Sequence, residues 1–186
     1  MFLAEGWVSS SRKVTAGGLS RTYKSEFDSQ QVSLKIGGGV PTELDGGAFV
    51  TPFGSLTGTQ ISADTYTEKS GVASDNLTLK VDADDIDSLI ATVGVKVNKV
   101  TDMGTPMISL AVNSELGDKT INTSNSYTGG GTAFTTSSDV EELSATLGLG
   151  YSYGSDLVSI DLSYEGEVND DEYLSHYGSV RLVSKF

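Results

Sequence analysis

Apolar and polar residues alternate strictly along much of the chain, which is the pattern of a β-strand with one apolar face. The alternation is cleanest from Leu143 to Tyr153, where large apolar side chains are separated by Ser, Thr and Gly. The same alternation recurs at 32–37, 89–98, 106–113, 158–164 and 180–186, whereas the segments near 2–10 and 47–60 are strand-like but less regular. No segment has the period of a convincing helix. The sequence therefore predicts an all-β, antiparallel chain of about eight strands.

Soluble sandwiches also alternate, so further features are needed to choose between a sandwich and a transmembrane barrel. The predicted strands are roughly 10 residues long, which is the length of a tilted bilayer crossing. Tyrosines cluster near the strand ends, where an aromatic girdle would lie: Tyr151, Tyr153, Tyr164, Tyr173 and Tyr177. These features favour a transmembrane β-barrel wall.

The connections between the later strands alternate in length, as they do in outer-membrane barrels. Those near 100–105 and 154–156 are short, whereas those at 114–140 and 165–172 are long and polar. If Phe186 ends at the periplasmic rim, we expect the long loops to face the outside. The region 63–87 would face the same side if it is one extended excursion.

Composition agrees with a protein that is apolar on one face only. The hydrophobic fraction is 37%, below the roughly 45–50% of ordinary soluble domains. The net charge is −13, from 25 acidic and 12 basic residues, which argues against a nucleic-acid partner. No run approaches the ~20 apolar residues of a spanning helix, and residues 1–7 do not form a signal peptide. We expect the chain to be part of a longer exported protein.

Residues that could carry chemistry do not assemble into a recognisable site, and we predict no enzyme activity, metal or cofactor. His176 has no nucleophile setting nearby, so it reads as a rim residue. The acidic run 82–87 fails as an EF-hand loop, because Asp87 stands where Gly is needed and Val93 where Glu is needed. The glycine runs 37–39 and 129–131 lack the Lys-Ser/Thr of a phosphate-binding loop.

A few charged residues lie on strand faces that are otherwise made of Ser, Thr and Gly. We predict that they line a polar lumen, together with Glu5: Lys35, Lys96, Asp161, Arg181 and Lys185. The other inward positions are mostly small, and the bulky exceptions include Trp7 and Met107. An eight-stranded barrel is just wide enough for side chains to fill. Because most of the inward side chains are small and could not fill such an interior, they favour a barrel of more than eight strands.

Several motifs resemble those of autotransporter β-domains. Val50-Thr51-Pro52-Phe53-Gly54 resembles the family's Thr-Pro-aromatic strand, and Tyr66-Thr67-Glu68-Lys69-Ser70-Gly71 resembles its Tyr-Thr-Glu-Ser-Gly loop. The run 87–95 resembles the next strand. The chain also stops at an aromatic residue, Phe186, as outer-membrane barrels do. On this resemblance Pro52, Phe53, Tyr66, Glu68 and Gly71 are family-motif residues.

The resemblance implies a twelve-stranded barrel with a helix in its lumen, and residues 1–186 would be the C-terminal portion of that domain. Its implied partners are the lipid bilayer of a Gram-negative outer membrane, the barrel assembly machinery, and the protein's own passenger domain or luminal helix. The implied function is export and anchoring of an N-terminal passenger. Phe186 would be the assembly signal, with Ser184 standing where an aromatic is usual.

Two other functions stay open on the sequence. One is a self-contained eight-stranded surface barrel with a structural or adhesive role through its acidic loops. The other is an outer-membrane hydrolase, for which His176 without a nucleophile is poor support. A closed barrel would require the strand near 2–10 to be hydrogen-bonded to the strand near 176–186, around an interior filled by side chains.

Overall fold

The computed structural model describes residues 1–73, 75–155, 157–169 and 174–184. Thirteen β-strands account for most of this part of the chain. In chain order they are β1 (Phe2–Ala16), β2 (Leu19–Gly39), β3 (Thr42–Leu44), β4 (Ala48–Ala63), β5 (Tyr66–Thr67), β6 (Leu79–Ala83), β7 (Ile86–Lys99), β8 (Thr105–Glu115), β9 (Thr120–Tyr127), β10 (Phe134–Asp139), β11 (Leu143–Gly154), β12 (Val158–Asn169) and β13 (Leu174–Ser184). Within these ranges no helix is long and apolar enough to cross a membrane.

The main sheet confirms the prediction of an antiparallel, all-β chain built on eight long strands. Its order is β1-β2-β4-β7-β8-β11-β12-β13, and the short β3 pairs with β4 beside this path. Each of the eight strands overlaps one of the alternating segments read from the sequence, and residues 185 and 186 of the last segment lie outside the described residues. β1 and β13 stand at the two ends of this order.

A second, four-stranded sheet has the order β10-β9-β6-β5 and corrects the interpretation of 114–140 as a long loop. β9 and β10 lie in that region, and β5 and β6 lie within the excursion at 63–87. The sequences of β9 and β10 are rich in Ser, Thr and Asn, and every residue of β10 is exposed. Hydrogen bonds set their register, including that from the Ser137 hydroxyl to Asn122 Oδ1 at 2.7 Å. No apolar alternation was available to reveal these strands.

The described chain divides into two compact units. Unit 1 comprises Met1–Leu34, Gly58–Ser88 and Gly117–Val140, and unit 2 comprises Lys35–Thr57, Leu89–Leu116 and Glu141–Phe186. Unit 1 holds β1, β5, β6, β9 and β10. Unit 2 holds β3, β8, β11, β12 and β13, together with most of β7.

In unit 1 a long hairpin joins β1 and β2. The strands pair from Phe2↔Ser33 to Ala16↔Leu19 without a break, so both extend well beyond the predicted segments. The turn between them uses Gly17 and Gly18 at φ 54° and 84°, and two positive φ values in succession favour glycine in a two-residue hairpin loop.

The hairpin register corrects the predicted orientation of Trp7 and Glu5. Leu3 lies opposite Val32 and Trp7 lies opposite Asp28, so Glu5 and Trp7 share the face of Leu3 and Val32. Trp7 is 89% exposed on this face. The predicted segment 2–10 was too irregular to show which of its two faces was apolar.

Buried apolar side chains are few in the described part of the chain. Those that reach burial are Tyr23, Leu79 and Val81, and all three belong to unit 1. A soluble sandwich of this size would enclose a much larger apolar core between its two sheets. The described chain therefore lacks the packing of a soluble sandwich.

Candidate functional site: the two faces of unit 2

One face of unit 2, here called the apolar face, carries large aliphatic and aromatic side chains that are exposed. On β11 and β12 they include Leu147 at 42% and Leu162 at 46% exposed, and Val93 on β7 reaches 66%. Between them on β11 lies Gly148, which is buried. This is the reverse of a soluble sheet, because the apolar side chains point away from the protein. Lipid is the solvent in which such a surface is stable.

The height of the apolar face matches a bilayer. Along β11 it runs from Leu143 to Tyr153, about 33 Å at roughly 3.3 Å per residue. With the tilt of about 45° that transmembrane strands adopt, this corresponds to a band roughly 25 Å tall, which is the usual apolar height of such barrels. Tyr151 and Tyr153 lie at one end of the band, as predicted for an aromatic girdle.

Tyr164 and Tyr177 do not lie in the predicted girdle. Tyr164 is opposite Leu149 near the middle of the apolar band, because β12 continues to Asn169. Tyr177 lies opposite Glu165 in the register of β12 and β13, whereas its neighbour His176 lies opposite Gly166. Tyr177 therefore shares the face of Glu165 and not that of Tyr164. The sequence around 174–178 alternates too weakly to show this. Tyr173 lies outside the described residues.

The opposite side of the sheet, here called the polar face, is built from rows of small and polar side chains. Pairing partners define the rows: Lys96, Ser109, Gly148, Glu165 and Tyr177 follow one another across β7, β8, β11, β12 and β13. The next row toward the other end of the strands includes Met107, Gly150, Ser163 and Ser179. The Ser163 and Ser179 hydroxyls are hydrogen-bonded at 2.7 Å.

Lys35, Lys96, Asp161 and Arg181 lie on the polar face, whereas Glu5 does not share it. Asp161 lies directly opposite Arg181 in the register of β12 and β13. Lys96 and Glu165 line one cavity of about 720 Å³, with Met107 and Phe53. Lys35 is two residues before Gly37 on β2, so the two residues share a face. A Cβ added to Gly37 would lie 2.5 Å from Ser55 Cβ, which is on the polar face. Lys185 and Phe186 lie outside the described residues.

A hydrogen-bond network on the polar face was missed by the sequence reasoning. Thr92 donates its hydroxyl hydrogen to Asn113 Oδ1 at 2.9 Å, and Asn113 Nδ2 donates to Thr146 Oγ1 at 2.9 Å. Ser144 donates to Glu167, which links β11 to β12. Four strands are thus tied together on one side by side chains that the sequence shows only as alternating Ser, Thr, Asn and Glu.

Comparison with protein-family models matches residues 2–165 to the autotransporter β-domain. The chain belongs to this family. Autotransporter β-domains are outer-membrane translocator and anchor domains, so membership accounts for a sheet whose apolar face is turned outward. No curated protein matches the chain.

Phe53, which the sequence resemblance predicts to be a motif residue, has a packing role in this autotransporter β-domain. Phe53 lies on the polar face, and a Cβ added to Gly94 would be only 2.5 Å from its Cζ. The ring therefore occupies the space that glycine leaves on β7. The same added Cβ would be 2.6 Å from the carbonyl oxygen of Leu110, so the approach of β8 also requires glycine here.

The second family motif lies in unit 1 of the β-domain. Tyr66 stacks on Phe27 with ring centroids 4.4 Å apart, and Glu68 accepts two hydrogen bonds from Arg12. Burial and the charge of Glu68 raise the pKa of the Tyr66 phenol. A Cβ added to Gly71 would meet nothing within 4 Å, so packing does not explain this glycine.

The residues that the sequence offered as candidates for chemistry make hydrogen bonds to neighbouring side chains in the β-domain. His176 Nδ1 is hydrogen-bonded to the Tyr164 hydroxyl at 2.5 Å. Asp82 accepts a hydrogen bond from the Thr65 hydroxyl at 2.6 Å. Over the residues that the structure describes, no group of three or more His, Cys, Asp or Glu is arranged to hold a metal ion.

Proposed function

We propose that this β-domain exports and anchors an N-terminal passenger, and that its polar face lines the route or the site of a luminal segment. The observation that supports this most directly is the inside-out arrangement of unit 2. Its apolar face suits lipid, and its polar face carries Lys35, Lys96, Asp161 and Arg181 among small residues. Lys185 is assigned to the same lining by its alternation with Arg181. Such a face remains hydrated and leaves room for an occupant.

We further propose that the eight-stranded sheet is part of a wider, twelve-stranded barrel. The sheet order ends at β1 on one side and β13 on the other, and an open strand edge is not tolerated in hydrocarbon. Further strands that pair with these two would close the wall. The many small side chains on the polar face favour this over a closed eight-stranded barrel, whose interior must be filled by side chains.

The export function is tested with the full-length protein in intact cells. Removing residues 141–186, which deletes β11, β12 and β13, is expected to abolish protease access to the passenger from outside, because the membrane wall cannot close. The control is arrival of the same passenger in the periplasm, which should be unchanged in the truncated protein. Unchanged passenger exposure at the surface would contradict the proposal. A protein without a passenger that still reaches the surface would favour the self-contained barrel.

A second expectation concerns the assembly signal. Deleting Phe186 should lower the amount of protein in the outer membrane several-fold, since the assembly machinery is proposed to read the terminal aromatic residue. The stability of the protein that does assemble should change little, because a terminal side chain adds little packing. The measurement is heat-modifiable folded protein in outer-membrane fractions. The Ser184→Phe variant is the matched gain-of-signal control, and unchanged levels in both variants would refute the role of this terminus.

A further inference from the structure

Two ion pairs in unit 1 join the connection between β5 and β6 to the β1–β2 hairpin. Arg12 on β1 contacts Glu68 in a bidentate pair, with Nε to Oε1 at 2.8 Å and Nη2 to Oε2 at 2.5 Å. Arg21 on β2 contacts Asp75, with Nη1 to Oδ1 at 2.8 Å. In both pairs the hairpin supplies the arginine and the connection supplies the carboxylate.

The carboxylates are the buried partners. The side chain of Glu68 is 7% exposed and that of Asp75 is 1% exposed, whereas both arginines keep 31%. The same carboxylates accept hydrogen bonds from backbone N–H groups at the end of the connection. The Leu79 N–H, at the start of β6, donates to Glu68 Oε2 at 2.9 Å, and the Leu77 N–H donates to Asp75 Oδ1 at 3.1 Å.

Tyr23 lies between the two pairs and is fully buried. The Arg12 guanidinium lies 4.5 Å from the centroid of its ring, within the range of a cation–π interaction. Its hydroxyl and Asp75 Oδ2 are both buried without a hydrogen-bond partner of normal geometry. Burial alone would raise the pKa of Asp75, but the Leu77 N–H, the Ser70 hydroxyl and the Arg21 guanidinium lower it below its ordinary value.

We propose that Arg12, Glu68, Arg21 and Asp75, arranged around Tyr23, form a charge latch that holds the β5–β6 connection closed on the hairpin. Apolar packing contributes little to this hold, because Val72 and Leu77 in the connection are exposed. Removing one partner of a buried ion pair leaves an uncompensated charge, which is strongly unfavourable. The latch therefore opens as a local unit when either pair is broken. This inference does not depend on passenger export.

Amide hydrogen exchange of the full-length protein in lipid vesicles tests the latch. The reporters are two backbone hydrogen bonds that no substitution removes directly, from Glu68 N–H to Leu79 O at 2.8 Å and from Lys69 N–H to Lys24 O at 2.8 Å. In Arg12→Met and in Glu68→Gln, exchange at both amides should rise at least about tenfold, and Asp75→Asn should act in the same direction. The exposed neighbour Lys13→Met is the control.

The double variant Arg12→Met/Glu68→Gln tests whether Arg12 and Glu68 act through their ion pair or stabilise the connection independently of each other. If the residues act as a pair, the double variant exchanges no faster than the faster single variant. Rates that multiply, or reporters that exchange as in the control, overturn the proposal. So does faster exchange of the paired amides of β8 and β11 to the same extent, because the charges would then stabilise the whole chain and not one connection.

Discussion

The Leu147→Arg variant is expected to lose about 2–4 kcal/mol of folding free energy in lipid vesicles, the scale for a cation near the bilayer midplane. Leu147 lies on the apolar face of unit 2, opposite Leu110 and Gly166 in the register of its two neighbouring strands. Its position near the middle of the apolar band, between Leu143 and Tyr153, keeps the guanidinium far from either interface. Urea-induced unfolding followed by tryptophan fluorescence, using Trp7, measures the change.

The Ser163→Arg variant is the matched control, because Ser163 is on the polar face of the neighbouring strand, β12. It loses the hydrogen bond to the Ser179 hydroxyl, worth about 1 kcal/mol. Asp161 and Glu165 flank it at i−2 and i+2 on that face and can compensate the new charge. We expect a loss well below that of Leu147→Arg. Equal losses for the two variants would mean that both faces have the same solvent, which would contradict a transmembrane wall.

The Gly94→Ala variant is expected to destabilise the domain by about 1–3 kcal/mol, the usual cost of overpacking a well-packed site. The new Cβ would lie 2.5 Å from Phe53 Cζ and 2.6 Å from the Leu110 carbonyl oxygen. The ring could move aside, but the backbone of β8 could not do so without losing its pairing with β7. The same urea unfolding assay measures the effect.

Gly150→Ala provides the comparison for Gly94→Ala. At Gly150 the nearest atom to an added Cβ is the terminal methyl carbon of Met107, at 2.6 Å, and the nearest backbone atom is the Leu162 oxygen at 3.6 Å. A flexible methionine end adjusts easily, so a small change is expected. A loss at Gly150 as large as that at Gly94 would contradict the assignment of the Gly94→Ala cost to the close approach of the Leu110 backbone.

The sequence by itself determined the number of long strands, their antiparallel arrangement and the separation of two faces in unit 2. These features follow from a period of two, which needs only local information: Leu147 and Leu149 must leave the sheet on one side if Gly148 leaves it on the other. The motifs around Phe53 and Glu68 were also visible, and they indicated the family to which the chain belongs. Their contacts were not visible.

Only the tertiary structure showed the features of two kinds of region: those in which the alternation fails, and those in which the interacting residues are distant in sequence. β9 and β10 are joined mostly by polar side chains, with one aromatic contact between Tyr127 and Phe134. Neither strand has an alternating apolar face, so no local pattern marks them. Trp7 and Tyr177 lie in segments whose register depends on the opposing strand. Arg12 and Glu68 are 56 positions apart, and nothing in either local sequence selects the other. Such pairs are chosen by strand order and register, which arise when the sheet forms and cannot be read from one strand alone.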